Sequence, residues 1–493
     1  MKAPPVGDRP AKEEKDEPAV RRQKGPKAIH TVLGPLLFLL VLLLPGDIPF
    51  AVRCGIGLLL WMTWWWITRP VHLAVTGFLP LVVAAVFDFV PVGEILPSYS
   101  APLIILLLSA NIMTTLWERW GLDRRVALVS LIGVGTNTTR QIMVWFIMAM
   151  LLSAILPNTI VAATMIPIVV AMLRFIGIED LWESRVGTAL VLAVAWGTSA
   201  GGVTTPLGGA PNLLTVQFVE DYTGEEFLFI TWLTRFLPLA LTVMLAMLLF
   251  VRFVFRPEIS EVPGSRTYFR KELGMLGRMS TPEKWGLAVF SAATLLAFTR
   301  PLYSTLFPSL TPPFVFLTLA IACFVIRHRG EPIITWEYAQ SKMMWGLFYL
   351  FAGGTALGRI LTESGTALFM ADALVPYARG GGLAAVLIFG VLTTVMTQTT
   401  SNTAAVAVTV PITISTFQSL GMNPIPFIYI VTAIGNCGFV LPTSSGGTAV
   451  AAGYGVNLKT MFVKGLWASL LVLGLVAGVG YLLAMFWPAF GTA

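Results

Sequence analysis

Apolar stretches of helical length fill this chain almost from end to end, divided by short polar, glycine- or proline-rich breaks. Runs of this kind at about 31–46, 50–68, 71–90 and 102–118 predict four helices able to cross or enter a bilayer. A short amphipathic piece reaches about 135, and a further span is predicted at about 229–255. After a polar, basic linker at 257–284 come spans at about 285–300, 313–327 and 343–361, and a last one at 461–488. Residues 1–30 mix Lys and Arg with Asp, Glu and Pro and carry no apolar pattern, so they read as a disordered cytoplasmic tail.

Two longer stretches are interrupted in their middles. The 138–174 stretch breaks at Pro157-Asn158-Thr159, and the 382–420 stretch breaks in the polar patch Thr397 to Thr403. Bilayer core accepts broken backbone only where protein or a water-lined cavity satisfies its hydrogen bonds. Each stretch therefore predicts a re-entrant hairpin whose tip lines a site. Two broken helices are predicted as well. One covers 185–222 with a gap at Pro206 to Asn212, and the other covers 424–455 with a gap at Pro442 to Thr448.

These features repeat. Residues 157–168 match 401–412, with nine residues from Asn to Pro in both (158 to 167, 402 to 411) and an alanine at the same offset (Ala163, Ala407). Pro206 to Asn212 aligns with Pro442 to Thr448 without a gap, and Ser109 to Gly121 with Gly353 to Gly365. The chain thus divides into halves at 31–256 and 285–493. Lys and Arg concentrate in the tail, at Arg69, at Arg119, Arg124 and Arg125, in the linker, and at Arg327, Arg329, Lys459 and Lys464. The positive-inside rule makes that side cytoplasmic, with an inner first hairpin, an outer second hairpin and a C-terminus outside the cytoplasm. The result is an inverted repeat, the plan of many secondary transporters.

Composition narrows the class without changing it. At 56% hydrophobic and 12% charged residues over 493, with mean hydropathy +0.80, the chain reads as an all-α polytopic membrane protein. About eleven transmembrane helices plus two hairpins fit that length. A pI of 9.4 reflects basic loops that set topology, and nucleic acid is not an expected partner. Cys54, Cys323 and Cys437 have no metal spacing, and the three histidines sit at helix ends or in loops. Intramembrane His-Glu-x-x-His or paired Asp is absent from the apolar runs, which argues against an enzyme.

At the tips the chemistry is that of neutral polar groups. The second half-helices begin at Thr159 and Thr403, where free N–H groups and the positive dipole end favour an anion. Carbonyls beside the tips and in the facing gaps are hard oxygen donors suited to Na⁺. Neither tip nor gap contains Lys, Arg, Asp or Glu, so a bound dianion needs positive charge from elsewhere, and a co-bound cation supplies it. Asn, Ser and Thr also join membrane helices structurally, and it is the paired, matched tips that favour a site over simple packing.

Ser401-Asn402-Thr403 with Pro411, Glu118-Arg119-Trp120-Gly121, Trp345 to Gly354 and Ile67 to Thr76 resemble the divalent anion:sodium symporters, the dicarboxylate and citrate cotransporters. The likeness covers about 31–490. It implies a homodimer in which a transport domain moves within a scaffold by an elevator-like motion. It implies Na⁺-coupled uptake of di- or tricarboxylates of the succinate, malate and fumarate class across the inner membrane. The open alternatives are a Na⁺-independent dicarboxylate exchanger or a carrier of another oxyanion such as sulfate. The coupling ion is Na⁺ and no organic cofactor is implied. Carried over, the anion contacts are Asn158, Thr159, Ser401, Asn402 and Thr403. The cation contacts are Ser153, Asn158 and Gly208 in one half, with Thr397, Thr400, Asn402 and Ser444 in the other. Two departures stand out: Pro157 where the family has Ser, and Ser445-Gly446-Gly447-Thr448 where it usually has Thr-Pro-Pro-Asn.

Overall fold

The computed structural model describes residues 28–44, 46–131, 135–378 and 382–492. The predicted tail lies outside them up to residue 27. Helices dominate, and among the described residues the only strands are a two-residue pair, Arg327–His328 with Glu331–Pro332. Five helical stretches are long and apolar enough to cross a membrane: Phe50–Thr68, Val92–Trp120, Asn158–Phe175, Phe229–Val254 and Leu458–Phe486. The bent pair Trp336–Lys342 and Trp345–Glu363 makes a sixth, and there are shorter apolar helices of 10–17 residues among the described residues. Many outward side chains are apolar, among them Leu245, Leu249, Phe253, Leu295, Trp467 and Phe486, which suits a lipid solvent and would be costly in water.

The structure redraws several elements. The 71–90 run is two helices, Leu73–Thr76 and Leu79–Phe87. Between them Gly77 presses on the Trp345–Glu363 helix so closely that a Cβ there would overlap the Tyr349 carbonyl oxygen. Beyond Glu363, Gly365 takes φ +73, a conformation that ends a helix, and the unpredicted helix Thr366–Ala378 follows. The 257–284 linker carries a helix of its own, Ser265–Leu276, packed near Leu122–Leu131. It is pinned to the start of the 138–153 helix by Val262 N–H donating to the Thr136 carbonyl (2.7 Å). Of the tryptophans at 61–66, whose clustering at a helix end also suits an interfacial belt, Trp61, Trp64 and Trp65 pack against the Ala28–Leu42 helix. Trp66 is fully buried, and Gly34 leaves the space that Trp61 and Trp65 fill.

The two matched stretches form matched helix pairs. The first is Thr138–Ser153 with Asn158–Phe175, and the second is Leu383–Thr399 with Asn402–Ser419. Both second helices start on the tip asparagine, run for 18 residues and contain the equivalent proline, Pro167 or Pro411. The helices with gaps also form as read: Arg185–Gly202 then Ala210–Thr223, and Ile425–Gly435 then Gly446–Gly453. Before the gaps, Arg185–Gly202 packs on the first pair and Ile425–Gly435 on the second; after them the helices cross over, Ala210–Thr223 packing on Asn402–Ser419 and Gly446–Gly453 on Asn158–Phe175 and Arg185–Gly202. Trp145, Trp196, Trp232 and Tyr429 are fully buried in the same apolar core.

Candidate functional site

At the first tip the chain leaves its helix at Ser153 and re-enters at Asn158. Pro157 stands at the cap position with φ −54, already suited to a helix start, but it offers no side-chain cap. Thr205, in the first gap, donates its hydroxyl to the Ala154 carbonyl (2.5 Å) and so clamps the gap onto the tip. The Asn158 carboxamide oxygen then lies among three other oxygens: Ser153 Oγ at 2.5 Å, Gly208 O at 2.5 Å and Thr198 O at 3.2 Å. Turning the amide over places its nitrogen there as a donor to all three. The turned amide is satisfied by these three hydrogen bonds without an ion, whereas with the oxygen there Ser153 donates to it and the Gly208 and Thr198 carbonyls face it as open cation ligands. Ser153, Asn158 and Gly208, the three predicted contacts, are thus brought together, and the Thr198 carbonyl joins them.

The second tip is tighter. Thr397 Oγ1 lies 2.7 Å from both Asn402 Oδ1 and the Gly435 carbonyl, and its one proton cannot serve both. Asn402 Nδ2 donates to the Asn436 carbonyl (2.7 Å), and Asn402 N–H donates to the Ser444 carbonyl (3.2 Å). Ser401 caps the new helix by accepting from Ala404 N–H (3.2 Å). Thr403 is buried beside it. Thr400 is the exception among the predicted contacts: its hydroxyl turns back onto the Met396 carbonyl (2.7 Å) of its own helix.

Between the tips runs a buried polar chain that the sequence reading did not single out. Asn212 donates to the Gly202 and Thr205 carbonyls (2.5 and 2.6 Å) and accepts from Asn436 Nδ2 (2.7 Å). Thr215 and Thr432 hydroxyls meet at 2.6 Å nearby. Gln398 holds the unwound second gap, donating to Cys437 O (2.7 Å) and accepting from Phe439 and Val440 N–H (2.9 and 3.0 Å). For Asn212 and Asn436 the available signal was isolation, each being an amide set in an apolar or small-residue stretch, whereas Gln398 is lost among the polar residues of the second tip. The second gap also touches both tips. Ser444 meets Asn402, and Gly446 lies so close to Thr159 that a Cβ would overlap Thr159 Oγ1 and sit 2.9 Å from its Cβ.

One charge reaches this region from far along the chain. Arg69 Nη2 donates to the Thr443 carbonyl (3.1 Å), so the absence of charge from the tips and gaps in sequence does not hold for the fold. The three cysteines are buried and unpaired, and no group of three His, Cys, Asp or Glu that could hold a metal occurs among the described residues.

The family model described as "Sodium:sulfate symporter transmembrane region" matches residues 28–492. The chain belongs to that family of divalent anion:sodium symporters. It is a multi-pass membrane transporter and not an enzyme. It is similar to the sodium-dependent dicarboxylate transporter SdcS of Staphylococcus saprophyticus, 29% identical over 472 residues, covering 92% of this chain and 91% of the relative. SdcS of Staphylococcus aureus strain bovine RF122 is 29% identical over 464 residues, with 90% and 88% covered. Among solved structures, the YdaH transporter of Alcanivorax borkumensis matches with TM-score 0.53 and 13% identity, covering 81% of this chain and 88% of the other. That likeness concerns the fold alone.

Proposed function

We propose that this protein is a secondary active transporter that couples Na⁺ to the uptake of C4 dicarboxylates of the succinate, malate and fumarate class. The carrying observation is the convergence of carbonyl, amide and hydroxyl groups on each tip asparagine without a carboxylate, above all at Asn402, where Thr397 Oγ1 has one proton for two oxygens. Such clusters suit a hard monovalent cation. Ser153, Asn158, Gly208 and the Thr198 carbonyl hold one ion. Thr397, Asn402 and the Gly435 and Ser444 carbonyls hold the other, and Thr400 contributes no side-chain oxygen in this arrangement. Asn158, Thr159, Ser401, Asn402 and Thr403 receive the anion. The two helix pairs are re-entrant hairpins of an inverted repeat in the inner membrane, with the N-terminus cytoplasmic. A homodimer working by an elevator motion in lipid completes this reading, and the names of the SdcS relatives support its sodium and dicarboxylate part.

A second reading, Na⁺-independent dicarboxylate exchange, draws on the Arg69–Thr443 contact, since a fixed positive charge lessens the need for a co-bound cation. Thermal-shift titrations of purified protein separate the two. Under symport, succinate shifts the melting temperature far more in Na⁺ than in choline, and succinate tightens Na⁺ binding by the same factor. Equal succinate shifts in both salts establish the exchanger and exclude the coupled mechanism.

A further inference from the structure

Arg69 closes the Phe50–Thr68 helix in the left-handed conformation (φ 49), fixed by its own N–H donating to the Trp65 carbonyl (2.9 Å). Few non-glycine residues adopt that backbone, and here it directs the chain away from the helix axis. The guanidinium lies 374 residues in sequence from its acceptor, the Thr443 carbonyl, and makes no ion pair among the described residues. Thr443 belongs to the unwound second gap, and the next residue, Ser444, receives Asn402 N–H. One N–H of a five-donor fork is used and the side chain is exposed, so the cation sits beside the gap with no carboxylate partner and with its other donors open to solvent or ligand. Residues 153–159, 205–212, 397–403 and 441–448 contain no other charge.

We propose that Arg69 is the fixed countercharge of the anion site and selects doubly over singly charged anions. This rests on the second tip and gap being the anion site, as proposed above. Arg69 acts through its field and through the Thr443 carbonyl, and so is a positioning residue. Coulomb energy is proportional to the ligand's charge. Removing one positive charge therefore weakens a dianion by the square of the factor by which it weakens a monoanion of the same shape. A loss of about tenfold for the dianion pairs with about threefold for the monoanion.

Succinate and its monoamide, succinamate, are matched probes, with sulfate as a second dianion. Affinities are read from thermal shifts of wild type, Arg69→Gln and Arg69→Lys at saturating Na⁺. The expected result is a tenfold loss for succinate and threefold for succinamate in Arg69→Gln, with Arg69→Lys restoring most of both. Equal losses for the two probes make Arg69 a purely structural hydrogen-bond donor and overturn the proposal. Unchanged affinities in Arg69→Gln overturn it too. Wild type that binds sulfate but not succinate overturns the dicarboxylate reading, and the Arg69 proposal then stands or falls on the tenfold loss for sulfate. Wild type that binds neither dianion overturns both.

Discussion

Replacing Gly446 by Ala tests the contact that joins the second gap to the first tip. We predict that the new methyl overlaps Thr159 Oγ1 and lies 2.9 Å from Thr159 Cβ and 3.1 Å from Thr159 Cα. Rotating the Thr159 side chain relieves only the first of these. The other two lie at or near the backbone, so either the Gly446–Gly453 helix or the start of Asn158–Phe175 has to move by several tenths of an ångström. Overpacking of this kind costs about 1–3 kcal/mol. On the proposed assignment of the sites, a displaced Thr159 also weakens anion binding, while the proposed Na⁺ cluster at Asn402, held by Thr397 and Asn436, keeps its affinity. Melting temperature and succinate affinity of purified Gly446→Ala give the two readouts. The double variant with Thr159→Gly removes the Oγ1 and Cβ contacts and should recover about 1 kcal/mol or more of stability relative to additivity. Strict additivity within about 0.5 kcal/mol, or a Gly446→Ala protein that melts like wild type, refutes the close contact.

Three further outcomes are expected. Asn402→Ala strips partners from Thr397 Oγ1 and the buried Asn436 carbonyl and should abolish coupled uptake into proteoliposomes; wild-type rates from the purified variant would rule out the second site. Pro157→Ser should tighten succinate binding about fivefold by adding one neutral hydrogen-bonding group to the first tip, and an unchanged dissociation constant means that the proline is structural. Glu283 is buried, which raises its pKa, yet hydrogen bonds from Arg125 and Ser280 more than offset this and hold it below its ordinary 4.5. Its stabilisation is therefore present above pH 4.5 and lost as pH falls through the lowered value. Glu283→Ala should cost about 1–3 kcal/mol at pH 7, because part-buried Arg125 loses its carboxylate but keeps the Leu276 and Gly277 carbonyls, a gap from wild type that narrows in acid.

Local patterns carried most of the architecture. Tip asparagines, equidistant prolines and small-residue gaps are local features, and each became the start of a helix, a residue within one, or an unwound segment where expected. Helix Thr281–Phe298 was legible to its first turn, since Ser280 and Glu283 form a capping box, though the apolar run alone placed its start four residues late. What stayed hidden depends on partners distant in sequence. Gly77 divides a run because Tyr349 lies against it, and no window around residue 77 contains Tyr349. Asn212 and Asn436 each read as one polar residue in an apolar context, and their meaning lies in their being 2.7 Å apart. Arg69 reads as a topology-setting loop charge until Thr443 is beside it.

The two departures from the family pattern are neighbours in space, which changes how each is understood. Pro157 takes a hydroxyl and an N–H from the first tip, two residues before Thr159. Its ring belongs to the wall of a small cavity of about 40 Å³ with Leu107, Phe290, Leu347 and Phe348, so this flank of the tip is apolar. Gly446 and Gly447 stand where the family usually has two prolines, and neither tolerates a Cβ: one meets Thr159, the other overlaps or closely crowds Thr198 Oγ1 and the Ala195 carbonyl. Proline rings there would keep the second gap away from the first tip. With glycines it closes onto Thr159 from the polar flank, opposite in character to the one the Pro157 ring occupies. A tip short of its own donors is thus supported by direct backbone approach of the second gap. On this argument the two changes are compensatory. Restoring serine at 157 alone adds a donor to a tip already braced, whereas restoring prolines at 446 and 447 alone removes the brace and leaves the donor missing. The second substitution should be the more damaging, and Pro157→Ser should partly rescue it.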